Sequence, residues 1–398
     1  MKLNQSFSGF QVSLKENLNV HLSPLLSNPI FILINILTCY KTNCFFCCKI
    51  LDNTPIYCKI EEMKTTKEGI LMKVVILDDW EKSFETNSEI ERLKGHFQVE
   101  IYHDQPAPDV LKKRIEHADV IIPIRERTTF SKEILRSLRK IKLIAQTGAG
   151  LAHIDMQEAN RLKIPISTTP GGSAVVVELI CGFMIAHSRK LVFLNEEMKK
   201  GNWVQSVGLG LEGKTVGIIG LGKIGSGVAK IAKAFHMNVL AWGPRLTEER
   251  ALAEGVEYAE LQHLLQSSQF VVIAVRLVPE TRYLLRKEHF QLMRKDAFLI
   301  NTSRGEVVDE QALAIALEED WISGAGLDVF SEEPVEAESP FLQMKNVLLT
   351  PHIGWKTDNM FHQFLSTSID NILSYFVDGT PNRIVNADVL DANTIRIK

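Results

Sequence analysis

From Met72 onward, short runs rich in Val, Ile and Leu alternate with segments whose apolar residues recur three and four positions apart. Runs of this length that are apolar throughout predict parallel strands buried on both faces, and the intervening periodicity predicts helices. In the first part of the chain the strands fall at 73–77, 97–102, 120–124 and 143–147, with helices at 84–93, 110–117 and 131–138. A long, mostly apolar helix follows at 173–189. Further strands are expected at 215–219, 239–241, 270–275, 297–300, 326–329 and 346–349, and a final periodic helix at 361–376. Strands alternating with helices at this spacing predict βαβ units in two doubly wound parallel-sheet domains, an α/β fold.

One stretch sits at the centre of this pattern. The strand 215–219 runs directly into Gly220, Gly222 and Gly225 in G-x-G-x-x-G spacing, and a helix and a second strand follow. Strand, tight turn, helix and strand together distinguish a dinucleotide fingerprint from chance glycines. Gly220 permits the turn, Gly222 lets backbone approach a pyrophosphate, and Gly225 lets the helix pack on the sheet. The first helical N–H groups, at Lys223 and Ile224, face the phosphates with the positive end of the helix dipole. NAD-binding folds usually carry an acidic residue at the end of the second strand. Here that position reads Trp242-Gly243-Pro244-Arg245, which favours NADP over NAD, Arg245 being either a 2′-phosphate contact or a solvated loop charge.

The composition of the 398 residues, 45% hydrophobic and 23% charged with a net charge of −3, is that of a soluble protein with room for two cores. Without basic runs there is no electrostatic footprint for nucleic acid, and no apolar stretch reaches the ~18 residues of a membrane helix. Five of the six cysteines lie between Cys39 and Cys58, so the body reads as a reduced, cytoplasmic protein. Residues 1–71 do not share the pattern of the rest. They read as a disordered extension, translated upstream of a start at Met72, in preference to a metal-binding appendage or a targeting signal.

Candidate chemistry sits after the strands. In open α/β sheets ligands lie beyond the carboxyl ends of the strands. Arg125 follows the third strand and is either a substrate contact or, as it reads taken singly, a surface charge. Gly148-Ala149-Gly150 follow the fourth, and their N–H groups either hold a carboxylate or simply make a turn. In the second half three successive strand ends deliver Arg304, Glu333 and His352. Each has a structural reading alone, but an arginine, a carboxylate and an imidazole converging on a nicotinamide suit hydride transfer to a carbonyl. Imidazole titrates near working pH, a neighbouring carboxylate orients it, and the guanidinium fork grips carboxylate and carbonyl oxygens.

The motifs GLGKIG at Gly220, NTSRGEVVDEQAL at Asn301, GAGLDVFSEEP at Gly324 and NVLLTPHIG at Asn346 resemble the D-isomer-specific 2-hydroxyacid dehydrogenase family, over about Met72 to Asn386. The resemblance implies a Rossmann dinucleotide-binding domain, 173–355, inserted in a flavodoxin-like substrate domain, 72–172 with 356–398 returning to it. It implies NAD or NADP as cofactor and a small 2-oxo or 2-hydroxy acid as substrate, with no metal. Position by position it implies Arg304 as the substrate arginine, Glu333 and His352 as the acid/base pair, and Gly148, Ala149 and Gly150 as the carboxylate loop. Asp328 falls where the family contacts the nicotinamide amide, and a homodimer is implied. His153 stands where the family commonly has Asn, and Trp355-Lys356 stand where small residues are usual. A long phosphoglycerate dehydrogenase with a regulatory domain is not the expectation. The alternatives are a non-catalytic dinucleotide-sensing protein of the same fold and a formate dehydrogenase, against which Glu333 speaks.

Overall fold

The computed structural model describes residues 71–390; the expectations placed on residues 1–70, their cysteines included, lie outside the described residues. Strands β1 (Lys73–Leu77), β2 (Gln98–Ile101), β3 (Val120–Pro123), β4 (Leu143–Gln146) and β5 (Ile166–Thr168) form one sheet. Its order is β2-β1-β3-β4-β5, with every neighbouring pair parallel. The second sheet contains β6 (Thr215–Ile219), β7 (Asn238–Trp242), β8 (Glu257–Tyr258), β9 (Phe270–Ile273), β10 (Phe298–Asn301), β11 (Gly324–Leu327) and β12 (Val347–Leu349). These seven run parallel in the order β12-β11-β10-β9-β6-β7-β8. In each sheet the chain steps outward one way, returns to the middle, and steps out the other way. That is the doubly wound arrangement, and the reversal falls beside β1 in the first sheet and beside β6 in the second.

Alternation along the strands explains why both sheets are covered on two faces. On β1, Val74 and Ile76 enter one apolar cluster, while Val75 and Leu77 enter another. On β9, Phe270 and Val272 lie on one side and Val271 and Ile273 on the other, all fully buried. Successive side chains of a strand point to opposite faces, and each such burial stabilises by about 1.5–3 kcal/mol.

Two long helices complete the cores. Ser173–Ser188 places Val177, Ile180, Phe183 and Met184 in the cluster that covers β6 and β9. Asp358–Phe376 begins at Thr357, whose hydroxyl accepts from the Met360 N–H, and buries Phe361, Phe364, Leu365, Ile369 and Ile372 against the first sheet. The chain beyond it pairs with β5, where Val385 N–H donates to the Ile166 carbonyl at 2.9 Å.

Two local features differ from the pattern-based reading. Over 84–93 only Ile90–Lys94 is helical. The buried Asp79 carboxylate accepts from the Phe84 and Glu85 N–H groups at 3.0–3.1 Å and holds that stretch as turns. Strands β5 and β8, of three and two residues, are too short to generate a period.

Candidate active site

Arg304, Glu333 and His352 converge beyond β10, β11 and β12. The imidazole Nδ1 of His352 lies 2.7 Å from Glu333 Oε2, and Glu333 Oε1 accepts from the Phe330 N–H at 3.0 Å. Burial alone would raise the Glu333 carboxyl. The hydrogen bond and charge of His352, with the Phe330 N–H and the Arg304 charge, outweigh it and hold the carboxyl below its ordinary value. With Nδ1 engaged, Nε2 of His352 is the nitrogen left to exchange a proton. Beneath the turn, Glu310 Oε1 accepts from the Ser331 N–H at 2.7 Å, and burial raises its carboxyl.

Close packing ties the arginine loop to this turn. A Cβ on Gly305 would fall inside the carbonyl carbon of Phe330, so only glycine lets the two segments touch. Asn301, at the end of β10, donates to the Arg304 carbonyl at 3.0 Å and accepts from the Ser303 N–H. The Arg304 side chain, 45% exposed, reaches across the cleft to within 3.9 Å of Glu126 Oε1.

His352 adopts φ +51, the left-handed region that residues other than glycine seldom occupy. Asp328 holds it there. Its carboxylate, 1% exposed, accepts from Thr350 Oγ1 at 2.6 Å and from the N–H groups of Ile353 and Gly354 at 2.7 and 2.8 Å. Burial raises the Asp328 carboxyl against the pull of these donors. The residue singled out for a nicotinamide contact thus also shapes the turn that carries the imidazole.

On the opposite wall, Arg125 is not a surface charge. Its side chain is 14% exposed, its guanidinium lies 5.5 Å from the Trp355 ring centre, and burial, aided by Arg304, pulls its pKa down against Glu126. A Cβ on Gly148 would collide with Arg125 Nη1, and one on Gly150 with Glu126 Oε1. The glycine loop therefore makes room for these two side chains. Trp355, which follows the imidazole loop, is 8% exposed and packs on Phe361 and Phe364 at 5.3 and 5.9 Å, so it supports Arg125 from behind. Glu126 and His153 are the contributors that the motif reading underweighted. The strand-end rule that flagged Arg125 applies equally to its neighbour.

The glycine turn after β6 is built differently. Gly220 has φ +105, and Gly225 packs so tightly that a Cβ would enter the Gly220 carbonyl oxygen. Gly222, the residue before the helix Lys223–Ala234, has nothing within 4 Å of its Cβ position. An open cavity of about 450 Å³ lies over this turn, lined by Gly222, Lys223, Lys230 and Arg250 among others. Free helical N–H groups at Lys223 and Ile224, with three cations around them, fit a dinucleotide pyrophosphate. Arg250 is a further cation not singled out by motif. It donates to the Leu221 carbonyl at 2.7 Å from the helix that follows β7. Arg245 is exposed just past the end of β7. Among the described residues there is no cluster of His, Cys, Asp or Glu placed to hold a metal, and no helix long and apolar enough to cross a membrane.

A family model described as "D-isomer specific 2-hydroxyacid dehydrogenase, NAD binding domain" matches residues 181–354. The chain is 35% identical over 316 residues to a glyoxylate reductase of Thermococcus litoralis, covering 76% of this chain and 95% of that protein. Among solved structures it resembles a phosphoglycerate oxidoreductase from Vibrio cholerae, with 30% identity, TM-score 0.71, and coverage of 77% of this chain and 99% of that one. It also resembles the apo form of D-lactate dehydrogenase from Escherichia coli, with 26% identity, TM-score 0.71, and coverage of 79% and 100%. A 35% identical match across 95% of a relative, on top of two doubly wound parallel sheets, places this chain in the D-isomer-specific 2-hydroxyacid dehydrogenase family.

Proposed function

We propose that this chain reduces the carbonyl of a small 2-oxo acid to a D-2-hydroxy acid, with NADPH favoured over NADH. The observation that carries the reading is the Glu333–His352 pair at 2.7 Å, with Arg304 near enough to bias the Glu333 charge. When bound, the nicotinamide supplies the hydride. Arg304 and the N–H groups of Ala149 and Gly150 hold the substrate carboxylate, with Arg125 behind them, while the Gly148 N–H is taken by Thr169 Oγ1 at 2.6 Å. His352 delivers a proton from Nε2 to the carbonyl oxygen, and Glu333, 2.7 Å from Nδ1, orients the ring beforehand. Asp328 keeps that ring in place through the Thr350–Gly354 turn.

In this assignment 173–355 form the dinucleotide domain, 72–172 with the returning C-terminal segment form the substrate domain, and domain closure over the cleft excludes water. Arg245 receives the 2′-phosphate of NADP. We also assign a homodimer, because Leu191, Phe193, Trp203 and Val207 are 50–90% exposed along one stretch, an apolar face that a second copy would cover. A cytoplasmic location belongs to the same assignment, with Cys181 a free thiol.

Steady-state kinetics of the full chain on glyoxylate, hydroxypyruvate and larger 2-oxo acids, each with NADH and NADPH, test the reading. His352→Ala and Arg304→Ala are each expected to lower kcat/KM by at least ~100-fold. Near-normal turnover in either variant removes that residue from the mechanism. Tight cofactor binding with no turnover on any acid would favour the dinucleotide-sensing alternative.

A further inference from the structure

Three polar atoms around the Gly148–Gly150 loop are buried without a hydrogen bond: Glu126 Oε1, His153 Nδ1 and Arg125 Nε, the last of them ion-paired with Glu126 Oε2 at 3.3 Å. Polar atoms removed from water are normally paired, so Glu126 Oε1 and His153 Nδ1, left unpaired on one wall of a cleft, indicate groups that a ligand completes. Their chemical character can be worked out. The side-chain amide of Gln146 donates to the carbonyls of Arg125 and Thr147 at 3.0 and 2.8 Å, which fixes its oxygen towards His153 Nε2 at 3.1 Å. His153 therefore donates from Nε2, and its Nδ1 is an acceptor while the ring is neutral. Burial, with Arg125 adding to it against Glu126, pulls the His153 pKa down and keeps the ring neutral. The wall thus offers two acceptors, Glu126 Oε1 and His153 Nδ1, beside arginines that take the substrate carboxylate. Glu126 Oε1 also lies 3.9 Å from Arg304 Nη2, which puts it at the substrate end of the cleft.

We propose that Glu126 is a specificity-determining residue, its Oε1 accepting a hydrogen bond from a hydroxyl on C3 of the 2-oxo acid. This rests on the assignment of the cleft as a 2-oxo acid site. A methyl group at C3 would leave the buried oxygen unpaired, and a second carboxylate or a phosphate there would meet the Glu126 charge. A hydroxyl satisfies it. Sites built to pair with a substrate hydroxyl reject the analogue that lacks it far more strongly than apolar pockets separate homologues.

Hydroxypyruvate and pyruvate differ by that hydroxyl alone, so their kcat/KM ratio with one cofactor reads the contact. The full-length protein is expected to favour hydroxypyruvate by at least ~100-fold. Glu126→Ala is expected to cut the ratio at least ~10-fold, and Glu126→Gln, which keeps an acceptor oxygen without the charge, to fall between. A role that merely supports Arg125 would lower both substrates together and leave the ratio in place. A ratio near one in the unaltered protein, or one shifted by less than about two-fold in both variants, overturns the inference while the 2-oxo acid reading stands. Failure of the unaltered protein to reduce any 2-oxo acid, glyoxylate included, overturns that reading and this one with it.

Discussion

Two glycine turns stand at the carboxyl ends of strands, one in each sheet, and they are glycine-rich for different reasons. At Gly148-Ala149-Gly150 the space a Cβ would take is occupied by the protein's own Arg125 and Glu126. At Gly220 and Gly225 the space is occupied by neighbouring backbone, whereas at Gly222 it is open. The first turn is glycine because charged side chains must come close. The second is glycine at two positions for packing and at the third so that backbone stays exposed to a ligand. Glycine spacing marks that something approaches closely; only the fold says whether it is a side chain, a backbone or a bound molecule.

Adding methyl groups to these turns should separate the three cases. Gly225→Ala drives a Cβ into backbone that cannot move aside, so a loss of about 3 kcal/mol is expected, seen as a lower midpoint in thermal unfolding. A variant as stable as the parent would show that the helix can shift away from β6. Gly222→Val should leave the unfolding midpoint nearly unchanged, because the added side chain enters open space, yet weaken NADPH binding at least ~10-fold by fluorescence titration. Unchanged affinity would mean the dinucleotide does not approach this backbone. Gly148→Ala combines φ +80 with a clash against a movable guanidinium end, so a cost of about 1 kcal/mol is expected. Its functional mark is a KM for the 2-oxo acid raised roughly 5–10-fold with cofactor affinity unaltered. If both affinities fell together, the two turns would not be separate ligand sites.

The smallest effect concerns pH. The Glu333 carboxyl has a lowered value in the fold, so the stability it contributes is fully present above the ordinary carboxylate range, near 4.3. That contribution is lost as pH falls through the lowered value. Urea midpoints measured from pH 6 downward should therefore fall less in Glu333→Gln than in the parent, by a fraction of a kcal/mol because the pair is about one-third exposed. Parallel curves for the two proteins would show that His352 does not bias the carboxylate.

How much of the site could be read beforehand depended on how local its cause was. The Arg304, Glu333 and His352 set followed from strand-end position, because parallel strands deliver their following loops to one edge. Arg125 read as an isolated charge, since nothing within a few residues announces that Trp355, some 230 positions later, backs its guanidinium. Asp328 was placed by family motif at the nicotinamide end. Its hold on the Thr350–Gly354 turn needed the register of β11 beside β12 to become visible. Glu126 and His153 carry no periodic signal at all, and their importance lies in atoms left unpaired after folding.

What the sequence alone determined was the alternation of buried strands and helices, the dinucleotide turn, and the residue types at the strand ends. These follow from periodicity and backbone sterics, which act over a handful of neighbours. Tertiary structure decided which charges are buried, which glycines face protein or open space, and which polar atoms remain without partners. Desolvation and hydrogen-bond pairing depend on chain segments far apart in number, so they have no expression until those segments meet.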